Sequence, residues 1–248
     1  MTQLLSRRLG CVLELVRPCA LLADVGTDHG QLPVAAVCRG VAARAVAADL
    51  REAPLRGARA HIDRSGVADR VLALQGDGLL ALEHLGVDAV VMAGMSGSSM
   101  LGMLDAAPDV LARLEQLILQ PNQNVPTLRA WALRSGWQLR DERMIEVRGQ
   151  FFVVCAFVPA AGKDPAYSVA GWDEAALSSI GPWFLQRRDP VALRWLERQR
   201  ARVSHWVQRG VSRLAPELDV LEAACRAMRG LGNSGELRYV DVRRHSAK

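Results

Sequence analysis

The chain has 248 residues and a mass of 27.0 kDa, and half of its residues are hydrophobic, which is enough for one large α/β domain or a medium domain with a small appendage. No run of about 18 uncharged apolar residues occurs, which excludes a membrane-spanning helix, and segment 1–10 lacks the features of a secretory signal, so we expect a cytoplasmic protein. The net charge of +5 lies in residues 161–248, which hold fifteen basic and ten acidic side chains, because residues 1–160 hold sixteen of each.

The first two thirds of the chain alternate between short apolar runs and amphipathic segments. Apolar residues at helical spacing predict a first helix at 3–16, including Leu4. The runs then predict strands at 20–26, 44–50, 71–78, 88–95 and 116–122. The segments between them predict helices at 31–40, 53–66, 99–114 (with a break near Pro108) and 127–136. Residues 137–149 and 150–159 predict two antiparallel strands. This order is typical of an α/β fold with a mostly parallel, doubly wound sheet and an antiparallel hairpin at its end.

A change of composition predicts two domains. Residues 160–171 are small, contain proline and glycine and show weak patterning, so we divide the chain into domains 1–160 and 161–248. Beyond the boundary, Pro190 to Leu214 predicts a long amphipathic helix, and a second helix begins near Pro216, giving an antiparallel helical hairpin. We expect Trp195 and Trp206 to belong to the core of this hairpin.

The cysteines and histidines do not predict a metal site. The five cysteines contain no C-x-x-C pair and are odd in number, so we expect buried free thiols rather than disulfides or a zinc ribbon. Four histidines lack the spacing of metal ligands, namely His61, His84, His205 and His245.

Polar or glycine-containing turns follow four of the predicted strands. Ligands of open parallel sheets bind beyond the carboxyl ends of the strands. Asp24 can bind an ammonium group there, Asp49 can accept hydrogen bonds from ribose hydroxyls, and Asp77 can accept one from an adenine amino group. The first turn lacks the G-x-G-x-x-G of a dinucleotide site and carries Asp28 and His29 instead, which disfavours a pyrophosphate. S-adenosylmethionine, which has a cationic sulfur and no phosphate, fits this pattern better.

Several segments resemble one enzyme family. They are LSRRL, LLADVGTDHGQLP, VAADL, GDGL, VMAGMSG, LILQPN and LRAWALRSGW, together with the closing hairpin. Over about residues 4–158 the chain resembles the TrmK family of bacterial tRNA methyltransferases, which modify N1 of the adenine at position twenty-two. The resemblance implies a Rossmann-like, seven-stranded methyltransferase domain that binds S-adenosylmethionine, and a small, coiled-coil-like helical domain that helps to hold tRNA. Two positions depart from the family pattern, Gln31 and Ser96.

The strand-end turns and the resemblance together predict the cofactor site. The residues expected to bind S-adenosylmethionine are Asp24, Gly26, Thr27, Asp49, Leu50, Gly76, Asp77, Gly78, Ala93, Gly94 and Met95.

The chemistry of adenine methylation indicates where further residues are needed. The N1 lone pair can attack the activated methyl group directly, and the base then gains positive charge. A carboxylate or a neutral imidazole can stabilise that charge or accept a proton, so we predict catalytic roles for Asp28 and His29. After the fifth strand, Gln120 and Asn122 could bind the base edge and Pro121 could pack on its face. Each also has a structural explanation: His29 as a helix cap, Asp28 as a ligand of loop amides, and 120–122 as a simple turn.

The arginines of the second domain predict contacts with a polyanion. Arginine binds phosphate in a bidentate manner. The candidates are Arg187, Arg188, Arg194, Arg198, Arg200, Arg202, Arg209 and Arg213. The alternative is a solvated helix face in a chain that prefers arginine to lysine.

The sequence therefore predicts an S-adenosylmethionine-dependent tRNA (adenine-N1)-methyltransferase, with tRNA as its partner and with no metal and no membrane. Two alternatives stay open: the same chemistry on another RNA, a protein or a small molecule, or an RNA-binding protein with a vestigial cofactor pocket. The oligomeric state does not follow from the sequence, although a monomer is slightly favoured.

Overall fold

The computed structural model describes residues 5–230, and their strands form one seven-stranded sheet in the order β3-β2-β1-β4-β5-β7-β6. The strands are β1 (Cys19–Val25), β2 (Ala42–Asp49), β3 (Val71–Gln75), β4 (Ala89–Met95), β5 (Gln116–Pro121), β6 (Trp137–Val147) and β7 (Gln150–Pro159). β1 to β5 pair in parallel, whereas β7 pairs antiparallel with both β5 and β6. The predicted fold class is confirmed, including the antiparallel hairpin.

One helix precedes β1, and other helices follow β1, β2, β4 and β5. They are α1 (Arg7–Glu14), α2 (Gln31–Cys38), α3 (Glu52–Arg64), α4 (Gly97–Ala106), α5 (Pro108–Leu111) and α6 (Val125–Arg134). The first helix begins later than residue 3 because Ser6 caps it and accepts a hydrogen bond from the Leu9 N–H. The predicted residues 3 and 4 lie outside the described part of the chain. The break near Pro108 separates α4 from α5, as predicted.

The core explains why the central strands are continuously apolar. β5 is buried at every position, and β2 contains five alanines, whose small side chains allow close packing of the neighbouring layers. Residues of α1, α2 and α3 pack with Ile118 on one face of the sheet. The alternate side chains Leu117 and Leu119 are also fully buried, which places apolar cover on the other face.

The strand order reverses between β1 and β4, which are neighbours in the sheet although they are distant in the chain. In open α/β sheets, the connections leave β1 and β4 toward opposite faces at such a point and open a crevice beyond the carboxyl ends of the strands. The predicted turns after β1 and β4 therefore lie at the favoured place for a ligand.

The contacts divide the chain into two compact units between Pro165 and Ala166, whereas the predicted boundary follows residue 160. The described helices of the second unit are α7 (Glu174–Ile180), α8 (Pro182–Arg187), α9 (Pro190–Gln208) and α10 (Ala215–Met228). Arg229, at the end of α10, pairs with Glu197 in the first half of α9, so these two helices run antiparallel, as predicted. None of the helices within residues 5–230 is long and apolar enough to cross a membrane.

Three predictions need correction. The helix predicted to reach Leu214 ends at Gln208, because Gly210 adopts a φ of +90° that breaks the helical backbone. Trp206, which the sequence predicts in the core, has 47% of its surface exposed. Cys38 is exposed at the end of α2, whereas Cys11, Cys155 and Cys225 are buried, and all five cysteines are free thiols.

Candidate active site

Asp24 is a buried carboxyl group at the carboxyl end of β1. Only 7% of the residue is exposed, and the Thr27 hydroxyl donates a 2.6 Å hydrogen bond to its Oδ2. Burial raises the pKa of Asp24 to about 6; the neighbouring Asp49 carboxylate also raises it, whereas the Thr27 hydrogen bond and the Arg8 guanidinium lower it. A carboxyl group that is costly to ionise in the unliganded protein is well suited to a cationic ligand.

The turn after β1 is bound tightly to β2. The N–H groups of Gly26 and Thr27 both donate to the Ala48 carbonyl at 2.9 Å. Gly26 has a φ of +77°, and a Cβ atom there would stand 3.2 Å from Sδ of Met95. The structure therefore brings together three predicted cofactor residues, because Asp24, Gly26 and Met95 belong to strand ends on either side of the reversal.

A second buried carboxylate, Asp49, ends β2. Its Oδ1 accepts the Arg51 N–H at 2.9 Å, and no described residue donates to its Oδ2. The Gly76 N–H donates to the Asp49 carbonyl at 3.1 Å, which brings the turns after β2 and β3 side by side. Leu50 is 60% exposed, and Asp77 is also exposed, so both predicted residues lie at the surface of this crevice.

The turn after β4 is bound to the segment that follows β5. Asn122 donates two hydrogen bonds, from its N–H to the Met95 carbonyl at 2.8 Å and from Nδ2 to the Gly94 carbonyl at 2.7 Å. Pro121 is buried and Asn122 is exposed. Of the 120–122 group, Asn122 is thus the residue at the surface, and it also has the predicted structural role in the turn.

Gln120 does not fit its predicted role of binding the base edge. Its side chain is completely buried, its Nε2 donates to the Pro121 carbonyl at 3.0 Å, and its Oε1 accepts a hydrogen bond from Arg8 at 2.5 Å. A buried amide that is engaged at both ends presents nothing to a substrate. Gln120 instead positions Arg8, which is a correction of the sequence prediction.

Arg8 of α1 is a site residue that the sequence analysis did not single out. In addition to Gln120, its guanidinium lies 5.8 Å from the ring centre of Phe152, and its Nη1 would stand 3.0 Å from a Cβ atom at Gly94. The helical spacing of apolar residues at 3–16 gives no partner for Arg8. The only signal was its place in the LSRRL segment of the family resemblance.

Replacement of Arg8 by methionine is expected to raise the pKa of Asp24 above about 6, because a cation that favours the carboxylate is lost. It should also reduce the free energy of unfolding by about 1–3 kcal/mol, because Oε1 of buried Gln120 loses its donor. NMR titration of the carboxyl carbons and urea unfolding measure both effects. Arg7→Met is the matched control on the same helix; equal titration of Asp24 in both variants would contradict the role of Arg8.

Asp28 and His29 lie in the exposed part of the turn after β1. Their side chains are 83% and 58% exposed, with 3.6 Å between Asp28 Oδ1 and His29 Nε2. The His29 ring packs against α3, where a Cβ atom at Gly57 would come within 2.5 Å of its Nδ1. His29 borders a shallow cleft of about 260 Å³, whose lining also includes Gln31, His61 and Arg64. Burial, Arg64 and His29 all lower the pKa of His61.

The predicted RNA-binding arginines lie in the second unit. Arg194, Arg198 and Arg202 are exposed on α9, whereas Arg200 is half-buried and has a buried Nε without a hydrogen-bond partner. The other exposed members of the predicted set are Arg187, Arg188, Arg209 and Arg213. Residues 5–230 contain no cluster of potential metal ligands, and His245 lies outside that range.

Comparison with known proteins identifies the family. Residues 5–155 match the family model described as "Methyltransferase domain". The chain is 33% identical over 190 residues to the tRNA (adenine(22)-N1)-methyltransferase of Bacillus subtilis (strain 168), with 77% of this chain and 79% of that protein covered. The chain belongs to the TrmK family. The resemblance predicted from the sequence is confirmed.

Solved structures agree with membership of the TrmK family. The crystal structure of Bacillus subtilis TrmK matches with a TM-score of 0.81 and 27% identity, over 90% of this chain and 99% of that one. A Streptococcus pneumoniae protein in complex with S-adenosyl-L-methionine matches with a TM-score of 0.76 and 27% identity, over 92% and 99% of the two chains. The family model ends at residue 155, whereas the two structures match 90% and 92% of this chain. The structural match therefore extends beyond the methyltransferase domain.

Proposed function

We propose that this chain transfers a methyl group from S-adenosylmethionine to N1 of the adenine at position 22 of tRNA. The observation that carries the proposal is the pair of buried carboxylates, Asp24 and Asp49, at adjacent strand ends of a chain that is 33% identical to a tRNA (adenine(22)-N1)-methyltransferase. A tRNA substrate agrees with the cytoplasmic location expected from the sequence.

The residues present fit S-adenosylmethionine. The ionised form of Asp24 suits the ammonium group of the cofactor, because a bound cation offsets the cost of keeping this buried group charged. The unengaged Oδ2 of Asp49 suits the ribose hydroxyls, and exposed Asp77 suits the adenine amino group. The backbone of 93–95, Gly26 and Thr27 are assigned to the same cofactor site. The bound cofactor supplies a methyl group that its sulfonium makes electrophilic.

The proposal assigns Asp28 and His29 to act on the base. When N1 of adenine forms its bond to the methyl carbon, the bond from that carbon to sulfur breaks and its electron pair stays on sulfur, so the positive charge passes to the base. The exposed Asp28 carboxylate can stabilise that charge, and a neutral His29 can accept the proton that the base releases. Asn122 can bind the base edge through its exposed amide.

The second unit is assigned to tRNA binding. An adenine in folded RNA must leave its stack to reach the crevice, at a cost of a few kcal/mol, which contacts elsewhere on the RNA must offset. The side chains proposed to contact phosphates are Arg187, Arg188, Arg194, Arg198, Arg202 and Arg209. Their exposure and the net positive charge of residues 161–248 support this role.

The reaction is tested with methyl-labelled S-adenosylmethionine and unmodified tRNA. We expect N1-methyladenosine in the nucleoside digest by mass spectrometry, and no label in a tRNA that carries guanine at position 22. In the same assay Asp28→Asn should lose roughly 100-fold in turnover and keep the affinity for S-adenosylmethionine. Asp69→Asn, which removes another exposed carboxylate, is the control. Cofactor binding without transfer to any tRNA would refute the proposed acceptor.

A further inference from the structure

One face of α9 is both strongly basic and exposed. At 100° per residue, the buried residues Ala192, Leu196 and Val203 fall on one side of the helix. An exposed arc runs from the opposite side of the helix, where Arg194 lies, to the flank of the buried side, where Trp206 lies. This arc, which we name the α9 arginine face, contains Arg194, Arg198, Arg202, His205, Trp206 and Arg209. All six side chains of this face are exposed.

The α9 arginine face carries no acidic residue within the described helix. Asp189, at its start, is used as the helix cap and accepts the N–H groups of Val191 and Ala192. Glu197 pairs with Arg229 of the helical hairpin. The exposed guanidinium groups of Arg202 and Arg209, which flank Trp206, complement a polyanion.

Trp206 is the one hydrophobic side chain on this face, whose other members are arginines and a histidine. It is 47% exposed, and it is the one aromatic residue among the large hydrophobic side chains exposed in the described chain. The ring of His205 stands edge-on to the indole, with 5.7 Å between ring centres and an interplanar angle of 76°. Helical spacing places Arg202 one turn before Trp206 and Arg209 one turn after it.

An indole that is 47% exposed and flanked by arginines has a chemical use on this face. Aromatic side chains stack on the faces of unpaired bases, and arginines bind the phosphates on either side. A membrane surface would need more apolar residues than this single one, and a protein partner would need an apolar surface around it. The combination of one aromatic ring and four arginines favours a nucleic acid strand.

We propose that Trp206 stacks on an unpaired base of the tRNA, while the arginines of the α9 arginine face bind the adjacent phosphates. The proposal rests on the proposed function, because it takes tRNA as the substrate. It adds to that function a specific residue, a type of contact that depends little on salt, and a requirement that the bound tRNA segment be single-stranded at this point.

The test measures the affinity of unmodified tRNA for full-length protein by fluorescence anisotropy at several salt concentrations. Trp206→Ala should weaken binding roughly 10-fold at every salt concentration, because stacking involves no counterion release. The slope of log affinity against log salt should stay as in the wild type. Trp206→Phe keeps an aromatic face and should recover most of the affinity.

Arg202→Ala gives the contrasting result expected of a phosphate contact. It should weaken binding mainly at low salt and reduce the salt slope by about one. Leu72→Ala, which removes an exposed apolar side chain from β3, should leave both quantities unchanged. Circular dichroism and the affinity for S-adenosylmethionine verify that each variant is folded.

The outcomes separate this proposal from the proposed function. Unchanged affinity in Trp206→Ala, or an equal loss in Trp206→Phe and Trp206→Ala, would overturn stacking by Trp206. A reduced salt slope in Trp206→Ala would also overturn it and assign the residue to the support of the arginines. Failure of the wild type to methylate tRNA that it binds would refute the reaction and leave the binding comparison intact.

Discussion

Replacement of Asp24 by asparagine is expected to reduce the affinity for S-adenosylmethionine roughly 100-fold, the scale found when one partner of a buried charge pair is removed. The same change should leave the unliganded protein at least as stable as the wild type at pH 8. Replacement of a structural carboxylate would lower both the affinity for the cofactor and the stability of the unliganded protein. Lower affinity without lower stability therefore identifies a carboxylate that binds the ligand.

The expected gain in stability follows from the pKa of Asp24. Burial raises this pKa from 3.8 to about 6, so the folded state binds a proton more tightly than the unfolded state. The resulting stabilisation is complete below the unfolded value and is lost as the pH rises from about 4 to above 6. The difference between the two pKa values of Asp24 corresponds to about 3 kcal/mol of folding free energy. Asparagine avoids this cost at high pH, and its amide oxygen can still accept the hydrogen bond from Thr27.

Isothermal titration between pH 5 and pH 8.5 measures the binding effect. In the wild type, affinity should rise as the pH passes through about 6 and the Asp24 carboxyl group ionises. In Asp24→Asn the affinity should be low and should lack this dependence. Asp69→Asn is the exposed control. A variant that keeps wild-type affinity would show that the ammonium group binds elsewhere.

The second large effect is expected from Arg129→Ala, which should reduce the free energy of unfolding by about 3–5 kcal/mol. Arg129 of α6 and Glu142 of β6 are 2% and 0% exposed. Nε and Nη2 of Arg129 both donate to Oε2 of Glu142, at 2.9 and 2.7 Å. Without the arginine, the Glu142 carboxylate stays buried and loses this cationic partner.

Urea unfolding compares this variant with Arg143→Ala. Arg143 forms an ion pair of similar length with Glu14, but both side chains are about half exposed, so its loss should cost less than about 1 kcal/mol. The double variant Arg129→Met, Glu142→Leu should recover much of the loss, because it removes both buried charges. Similar values for Arg129→Ala and Arg143→Ala would contradict the argument from burial.

Much of the fold could be predicted because strand and helix periodicities differ strongly in the first unit. The continuous apolar runs of the parallel strands, and the polar residue or glycine that ends each one, also predicted where Asp24 and Asp49 meet. Helices α7 and α8 were not predicted, since they have seven and six residues, too few for a helical period to be visible.

The errors at the site arise from contacts between distant parts of the chain. The buried state of Gln120 depends on Arg8, which is 112 residues away and which no local pattern connects to it. Trp195 and Trp206 lie on nearly the same line of α9, but Trp195 is half-buried and Trp206 is exposed. Periodicity gives the direction of a side chain, whereas its burial depends on what lies opposite it at that level of the helix.

The loop after β4 and the loop after β5 are joined by several hydrogen bonds. In addition to the bonds of Asn122, the Gly97 N–H donates to the Gln123 carbonyl at 3.1 Å, and Nδ2 of Asn124 donates to the Ser98 hydroxyl at 3.1 Å. A ligand that orders one loop therefore orders the other. If the cofactor binds the loop after β4 and the base binds the loop after β5, their binding energies are coupled, and each ligand strengthens the binding of the other by the same factor.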